Sequence, residues 1–164
     1  MTTVVIAVDE TEASVRAIHV ARRLFGDDAR YVVVHVADEM PVTPVVPMGT
    51  GTGVGTPMWS VGNVVHPVGS GDAGGMDVDA VELAESVARR VAAAGDLVQS
   101  EAVGALGDPA EAILGLARHR DAEVVVIGAH RHGWFTRTFG SSVAEDIQKQ
   151  AHVPVLLVPE STTS

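Results

Sequence analysis

The sequence predicts a three-layer α/β/α domain with a five-stranded parallel sheet. Three observations predict it. Apolar runs bounded by turn residues alternate with stretches of helical spacing. Hydrophobic residues make up 46% of the chain but aromatics only 4%, so the core is Val, Ala, Leu and Ile, as in strands buried on both faces under Ala-rich helices. The 164 residues suit one domain spanning 1–164.

The elements follow in order. Val4 to Val8 is an unbroken apolar run ending at Asp9, a buried strand. Ala13, Ala17, Val20, Ala21 and Leu24 recur at helical spacing, and Gly26 stops them. Tyr31 to Val36 is the second strand, with His35 as a hydrogen-bonded core residue. Residues 40 to 76 then hold 9 of the 17 glycines and 5 of the 8 prolines and no Lys or Arg, so they read as a long inserted loop with room for a short hairpin. Val81, Ala84, Ala88, Val91 and Ala92 mark a second helix before Gly95. Leu97 to Ala105, carrying Gln99, Ser100 and Glu101, reads as an exposed edge strand. In the segment GDPAE, Asp108 is placed to cap, Pro109 suits the first helical position and Glu111 completes a capping box. Ala110, Ile113, Leu114 and Ala117 form the buried stripe. Glu123 to Ile127 is the fourth strand, ending at Gly128. Ser142 and Glu145 open a last helix with Val143, Ile147 and Ala151 inward, and Pro154 to Val158 is the fifth strand.

Strict alternation with right-handed crossovers favours sheet order 3-2-1-4-5. That places the switch point between strands one and four, where ligands bind outside the carboxyl ends. The residues there are Asp9 to Thr11 and Gly128 to Arg131.

Composition narrows the function. A net charge of −10 opposes a nucleic-acid backbone, so the basic and aromatic segment HRHGWFTR is not read as a nucleic-acid site. No cysteine is present, which removes disulfides, thiolate metal sites and a Cys nucleophile, and fits a reducing compartment. No apolar run approaches the roughly 20 residues of a membrane span, and the first ten residues do not read as a signal peptide. A soluble, cytoplasmic protein without nucleic-acid or membrane partners is the expectation. His130 and His132 lie two apart and His119 and His152 elsewhere, without a third convergent ligand, so they read as surface histidines and no metal site is expected.

The blocks VVIAVDETEAS, YVVVHV, GDPAEAIL, AEVVVIGAHRHGWF, GSSVAEDI and HVPVLLVP, in this order, resemble the universal stress protein family over residues 3–36 and 77–159. Residues 40–76 match no block of it. The resemblance implies a Rossmann-like fold of the adenine nucleotide alpha hydrolase type and a stress-response regulatory domain that binds ATP or another adenine nucleotide, with Mg²⁺ only as its companion. It implies that Ala7, Val8 and Asp9 line adenine and ribose, that Val36 packs the adenine, and that Ile127 and Gly128 form the opposite wall. In the nucleotide-binding branch, the fourth strand is followed by Gly, two residues, Gly, nine residues, then Gly and Ser or Thr. Here those positions are Gly128, Arg131, Ser141 and Ser142, so one glycine of three is kept. His130 and Val143 flank the motif and join the set. A side chain at 131 crowds the phosphate position, while its guanidinium offers a charge-assisted contact to the same group. Asp9 holds a ribose hydroxyl or closes a turn, and Ser142 touches phosphate, caps a helix, or both. The resemblance further implies a symmetric homodimer through Val155 to Val158.

Two other readings stand beside the nucleotide regulator. One is a dimeric interaction scaffold of the same fold that binds no nucleotide. The other is an enzyme of a related adenine-nucleotide fold, which the segment DETEAS does not support, since it lacks a serine–glycine-rich loop. No base or Mg²⁺ ligand set reads from the sequence, so at most slow ATP hydrolysis is expected. The long insertion leaves the carboxyl end of the second strand and is expected to fold over the pocket, either as a lid or with its own Val and Met side chains in place of a ligand.

Overall fold

Val, Ile and Ala runs build one continuous sheet, seen in a computed structural model that describes residues 1–37, 58–61, 64–67, 78–129 and 143–159. The strands are β1 (Thr3–Ala7), β2 (Arg30–Ala37), β3 (Met58–Val61), β4 (Val64–Pro67), β5 (Ser100–Leu106), β6 (Val124–Ala129) and β7 (Val155–Pro159). The helices are α1 (Glu12–Phe25), α2 (Val78–Ala94), α3 (Pro109–His119) and α4 (Val143–Gln150). The sheet order is β4-β3-β5-β2-β1-β6-β7. Its five parallel strands, β5-β2-β1-β6-β7, have the expected order 3-2-1-4-5.

The insertion changes one edge. β3 pairs antiparallel with the carboxyl half of β5 (Trp59 opposite Ala105) and β4 folds back on β3, so among the described residues β5 is an edge strand only along its polar amino half, Ser100 to Val103. Glu101 in that half carries an ion-pair network described below. β7 is paired with β6 alone among the described residues.

Period-2 alternation sorts the strands between two cores. On one face Val5, Ala7, Val32, Val34, Val36, Val103, Ala105, Val125 and Ile127 pack against Ala110, Ile113 and Leu116 of α3 and Val143 and Ile147 of α4. On the other, Val4, Ile6, Val8, Tyr31, Val33 and Val126 pack against Ala17, Ile18 and Ala21 of α1 and Val87, Ala88 and Val91 of α2. The α2 stripe is the expected one. In α1 the stripe is rotated: Ile18 is fully buried, whereas Leu24, in the last turn, is 60% exposed.

Helix ends follow local chemistry. Asp108 Oδ1 accepts the Glu111 N–H at 2.8 Å and Pro109 occupies the first turn of α3, as expected. Gly26 ends α1 at φ 74°, a conformation that favours glycine, and its N–H returns to Arg22 O at 2.8 Å.

Two helices meet the sheet main chain to main chain. A Cβ built at Gly104 of β5 would lie 2.5 Å from Glu85 N and closer still to Val81 O, both in α2. At Gly128 of β6 it would lie 2.7 Å from Ala13 C and O in α1. Because the obstruction is backbone, it cannot yield by a rotamer change. Gly104→Ala is therefore expected to cost about 1–3 kcal/mol through displacement of α2, read as a lower denaturation midpoint with unchanged helix content by circular dichroism.

Candidate functional site

The end of β1 is tied down on both sides. Val8 N donates to Val34 O at 2.8 Å, and Val8 O lies 2.8 Å from His35 Nδ1. A carbonyl only accepts, so His35 carries its proton on Nδ1. His35 is thus the hydrogen-bonded residue that the sequence suggests.

Asp9 follows, 95% buried, between β1 and α1. Its Oδ1 accepts from Ser14 Oγ at 2.6 Å, from Thr11 N at 3.2 Å and from the Thr11 hydroxyl. Its own N–H donates to Ser14 Oγ at 2.8 Å. Thr11 holds the N-cap position of α1 but makes no side-chain cap bond, because its hydroxyl is turned to Asp9. Glu10 reaches across to Arg90 of α2 at 2.7 Å, an exposed pair joining this turn to the next helix.

Asp9 Oδ2 differs from Oδ1. It is buried and has no hydrogen-bond partner among the described residues. A buried acceptor without a donor costs about 1–3 kcal/mol, so the described residues leave it short of one donor, such as a hydroxyl or an amine.

β1 and β6 are neighbours, with Ala7 opposite Ile127. The carboxyl ends of strands one and four therefore lie side by side at one edge of the sheet, the adjacency on which the site assignment depends. Asp9 lies at that edge. Ala7, Val36, Ile127 and Val143 lie in the α3/α4 core and Val8 in the α1/α2 core, all buried. Gly128 sits beside the first turn of α1. His130, Arg131, Ser141 and Ser142 lie outside the described residues, as does most of the expected lid. The described part of the insertion, β3 and β4, extends the sheet beyond β5, with β2 between β5 and β1. Thr11 closes the switch-point segment named from the sequence, whereas Ser14 was not singled out. The available signal was a hydroxyl two and five residues beyond a strand-end Asp, which reads equally as an ordinary helix start.

The family profile described as the universal stress protein family matches residues 59–159, more than half of the chain. The chain belongs to the universal stress protein family. The match takes in residues 59–76, inside the insertion, which carries none of the family blocks quoted above. No curated protein matches the chain by sequence. Solved universal stress proteins share its fold at low identity. One crystallised in complex with cAMP aligns over 98% of this chain and 98% of its own at 18% identity, with a TM-score of 0.54. A family protein from Burkholderia pseudomallei aligns over 97% and 96% at 22% identity and 0.54. A family protein from Arabidopsis thaliana with AMP bound aligns over 99% and 94% at 16% identity and 0.55.

This family member also has cavities at the opposite, amino ends of the strands. One of about 810 Å³ is lined by Asp27, Asp28, Arg30, Tyr31, Ser100 and Glu101 among others. Its charges are largely satisfied by one another. Glu101 on β5 receives Arg120 Nε at 3.1 Å and Arg30 Nη2 at 3.1 Å. Tyr31 donates to Gly26 O at 2.6 Å, and burial, with the nearby Asp27 charge, raises its pKa against the opposing effect of Arg22. Among the described residues no group of three His, Asp or Glu is placed to hold a metal, and no helix is long and apolar enough to cross a membrane.

Burial alone would raise the Glu101 pKa, but the hydrogen bonds and charges of Arg120, then of Arg30, outweigh it and hold the carboxyl below its usual value. The folded chain therefore binds this proton less readily than the unfolded one. The network's contribution is complete above the unfolded carboxylate pKa near about 4.3 and is lost as pH falls through the lower folded value. Glu101→Gln is expected to cost roughly 1–2 kcal/mol at neutral pH, discounted because Arg30 is half exposed. The difference from the unmodified protein should shrink as acid protonates the carboxyl, as chemical denaturation followed from pH 7 downward would read.

Proposed function

We propose that this universal stress protein is a stress-response regulatory domain that binds ATP or another adenine nucleotide at the notch between β1 and β6. The observation that carries the reading is the Oδ2 of Asp9 at the carboxyl edge of the sheet, buried and without a partner among the described residues. A ribose presents hydroxyl donors, and an Asp at such a strand end suits them. Two structural neighbours that are described with cAMP and with AMP support an adenine ligand. In this reading Asp9 takes the ribose, the Ala7–Val8 and Ile127–Gly128 segments and Val36 flank the base, and His130, Arg131, Ser141, Ser142 and Val143 form the phosphate side. Bound ATP would bring its own Mg²⁺. The role is binding with a change of partner affinity, with at most slow hydrolysis. The absence of cysteine suits a cytoplasmic setting.

A second reading has its own support. Gly128 is accounted for by helix packing alone, and Arg131 and Ser141 stand where the glycine motif has glycine. A scaffold of this fold that holds no nucleotide would look the same at those positions. In both readings we propose a homodimer through β7, whose far edge is unpaired among the described residues.

Isothermal titration with Mg²⁺-ATP tests the first reading. The unmodified protein is expected to bind, and Asp9→Asn to weaken binding at least about tenfold, because Asn keeps an Oδ1 for Thr11 and Ser14 but offers an NH₂ where Oδ2 stood. No binding by the unmodified protein would overturn it, and binding gained only in Arg131→Gly would favour the scaffold. For the dimer, Val125 N bonds Pro154 O at 3.0 Å, so in a parallel register Leu157 turns its main chain away from β6. Leu157→Pro is expected to convert a sedimenting dimer into a monomer, and an unmodified protein that sediments as a monomer would overturn the assembly.

A further inference from the structure

Ser14 is fully buried in the first turn of α1, yet it is polar. Its single hydroxyl does two things to one residue: the proton goes to Asp9 Oδ1 at 2.6 Å, and an oxygen lone pair takes the Asp9 N–H at 2.8 Å. A clamp on both the main chain and the side chain of Asp9 restricts the torsions that aim its carboxylate. Thr11 adds its N–H and hydroxyl to the same Oδ1. Two hydroxyls and one main-chain N–H thus converge on one oxygen, and no donor among the described residues reaches the other.

The clamp requires that Ser14 stand close to the end of β1. The position of the first α1 turn is set by its approach to β6 at Gly128, where a Cβ would meet Ala13 C and O at 2.7 Å and Ser14 N at 2.9 Å. Gly128 is not a glycine for conformational reasons: the described glycines with positive φ are Gly26 and Gly107. It is a glycine for space, and the space is filled by the residue pair that carries the clamp.

We infer that Ser14 is the positioning residue of the site: it holds Asp9 so that Oδ2 is the acceptor kept for a ligand hydroxyl, and Gly128 is glycine so that α1 comes near enough for Ser14 to do so. The ligand part of this statement rests on the nucleotide reading. The clamp itself does not.

The experiment has one arm for each. In ligand-free protein, amide hydrogen exchange by NMR is compared for the unmodified chain, Ser14→Ala and Gly128→Ala. Exchange at the Asp9 amide is expected to rise about tenfold or more in both variants, with α2 and β5 amides unchanged. Unchanged Asp9 exchange in Ser14→Ala would overturn the clamp, and if Gly128→Ala does not fold, Ser14→Ala carries this arm. The second arm is a double-mutant cycle on Mg²⁺-ATP affinity. Ser14→Ala is expected to weaken binding about tenfold in the unmodified background and less than about twofold in Asp9→Asn, where no ligand acceptor is left to aim. Equal losses in both backgrounds would show that Ser14 acts by some route other than Asp9 and would overturn its positioning role. Should the unmodified protein bind no ATP, the nucleotide reading falls, while the exchange arm still decides the clamp.

Discussion

The close approach of the α1 main chain to β6 is the constraint from which the carboxyl edge of this sheet is built. Helices normally pack on sheets through side chains. At Gly128 no side chain intervenes, and the carbonyl of Ala13 occupies the place of a Cβ. The consequence is local but reaches three elements. It brings Ser14 against the end of β1, commits the Thr11 hydroxyl to Asp9 instead of the helix cap, and sinks a carboxylate where only 5% of its residue surface remains exposed. A glycine that family motifs associate with a bound phosphate thus already has a structural reason here, before any ligand is considered. The same device recurs at Gly104 under α2, on the same face of the sheet. Close backbone approach is therefore a general means by which this Ala- and Gly-rich chain thins its α1/α2 layer.

Much of the fold was legible because the relevant signals are local. The stripe Val81, Ala84, Ala88, Val91, Ala92 and the Asp108 cap with Pro109 in the first turn depend on spacing within one or two turns, and both stand as read. The order of the five parallel strands follows from alternation and handedness. The β3–β4 hairpin was less legible. Its strands are four residues each within a Gly- and Pro-rich stretch, and what selects them is the open edge of β5, a partner distant in sequence. The same distance explains why the whole of β5 read as an edge. Glu101 lies in the half of β5 that β3 leaves uncovered, and Arg30 and Arg120 converge on it there from β2 and the end of α3.

The site was legible in part and for similar reasons. Asp9 stands out as the first charge after an apolar run, and strand adjacency puts it beside Gly128. Ser14 does not stand out. Ser and Thr near a helix start are common, and only the tertiary approach at Gly128 shows that this hydroxyl points back to the strand end. Ala7, Val36 and Ile127 illustrate the opposite case. Their identities suit an apolar wall, yet alternation alone assigns them to the α3/α4 core, where they pack on residues such as Ile113 and Ile147. An apolar residue at the end of a buried strand serves the core whether or not a base lies nearby.

The two ends of the sheet divide polar groups in different ways. At the amino end, charges meet their opposites: Glu101, with a side chain only 20% exposed, holds two guanidiniums, one of them from an Arg120 side chain only 11% exposed. Such a cluster is complete, and an added charged ligand would have to displace an existing pair. At the carboxyl end, donors are concentrated on one oxygen of Asp9 while the other has none among the described residues. Buried polar atoms are almost always satisfied, so an exception next to a polar, hydrogen-bonded turn carries more information than a larger cavity whose groups are already paired. A chain with net charge −10 draws no polyanion by its overall field. What it can offer at this edge is a specific acceptor for a hydroxyl, and recognition by a hydroxyl acceptor does not depend on the sign of the whole surface.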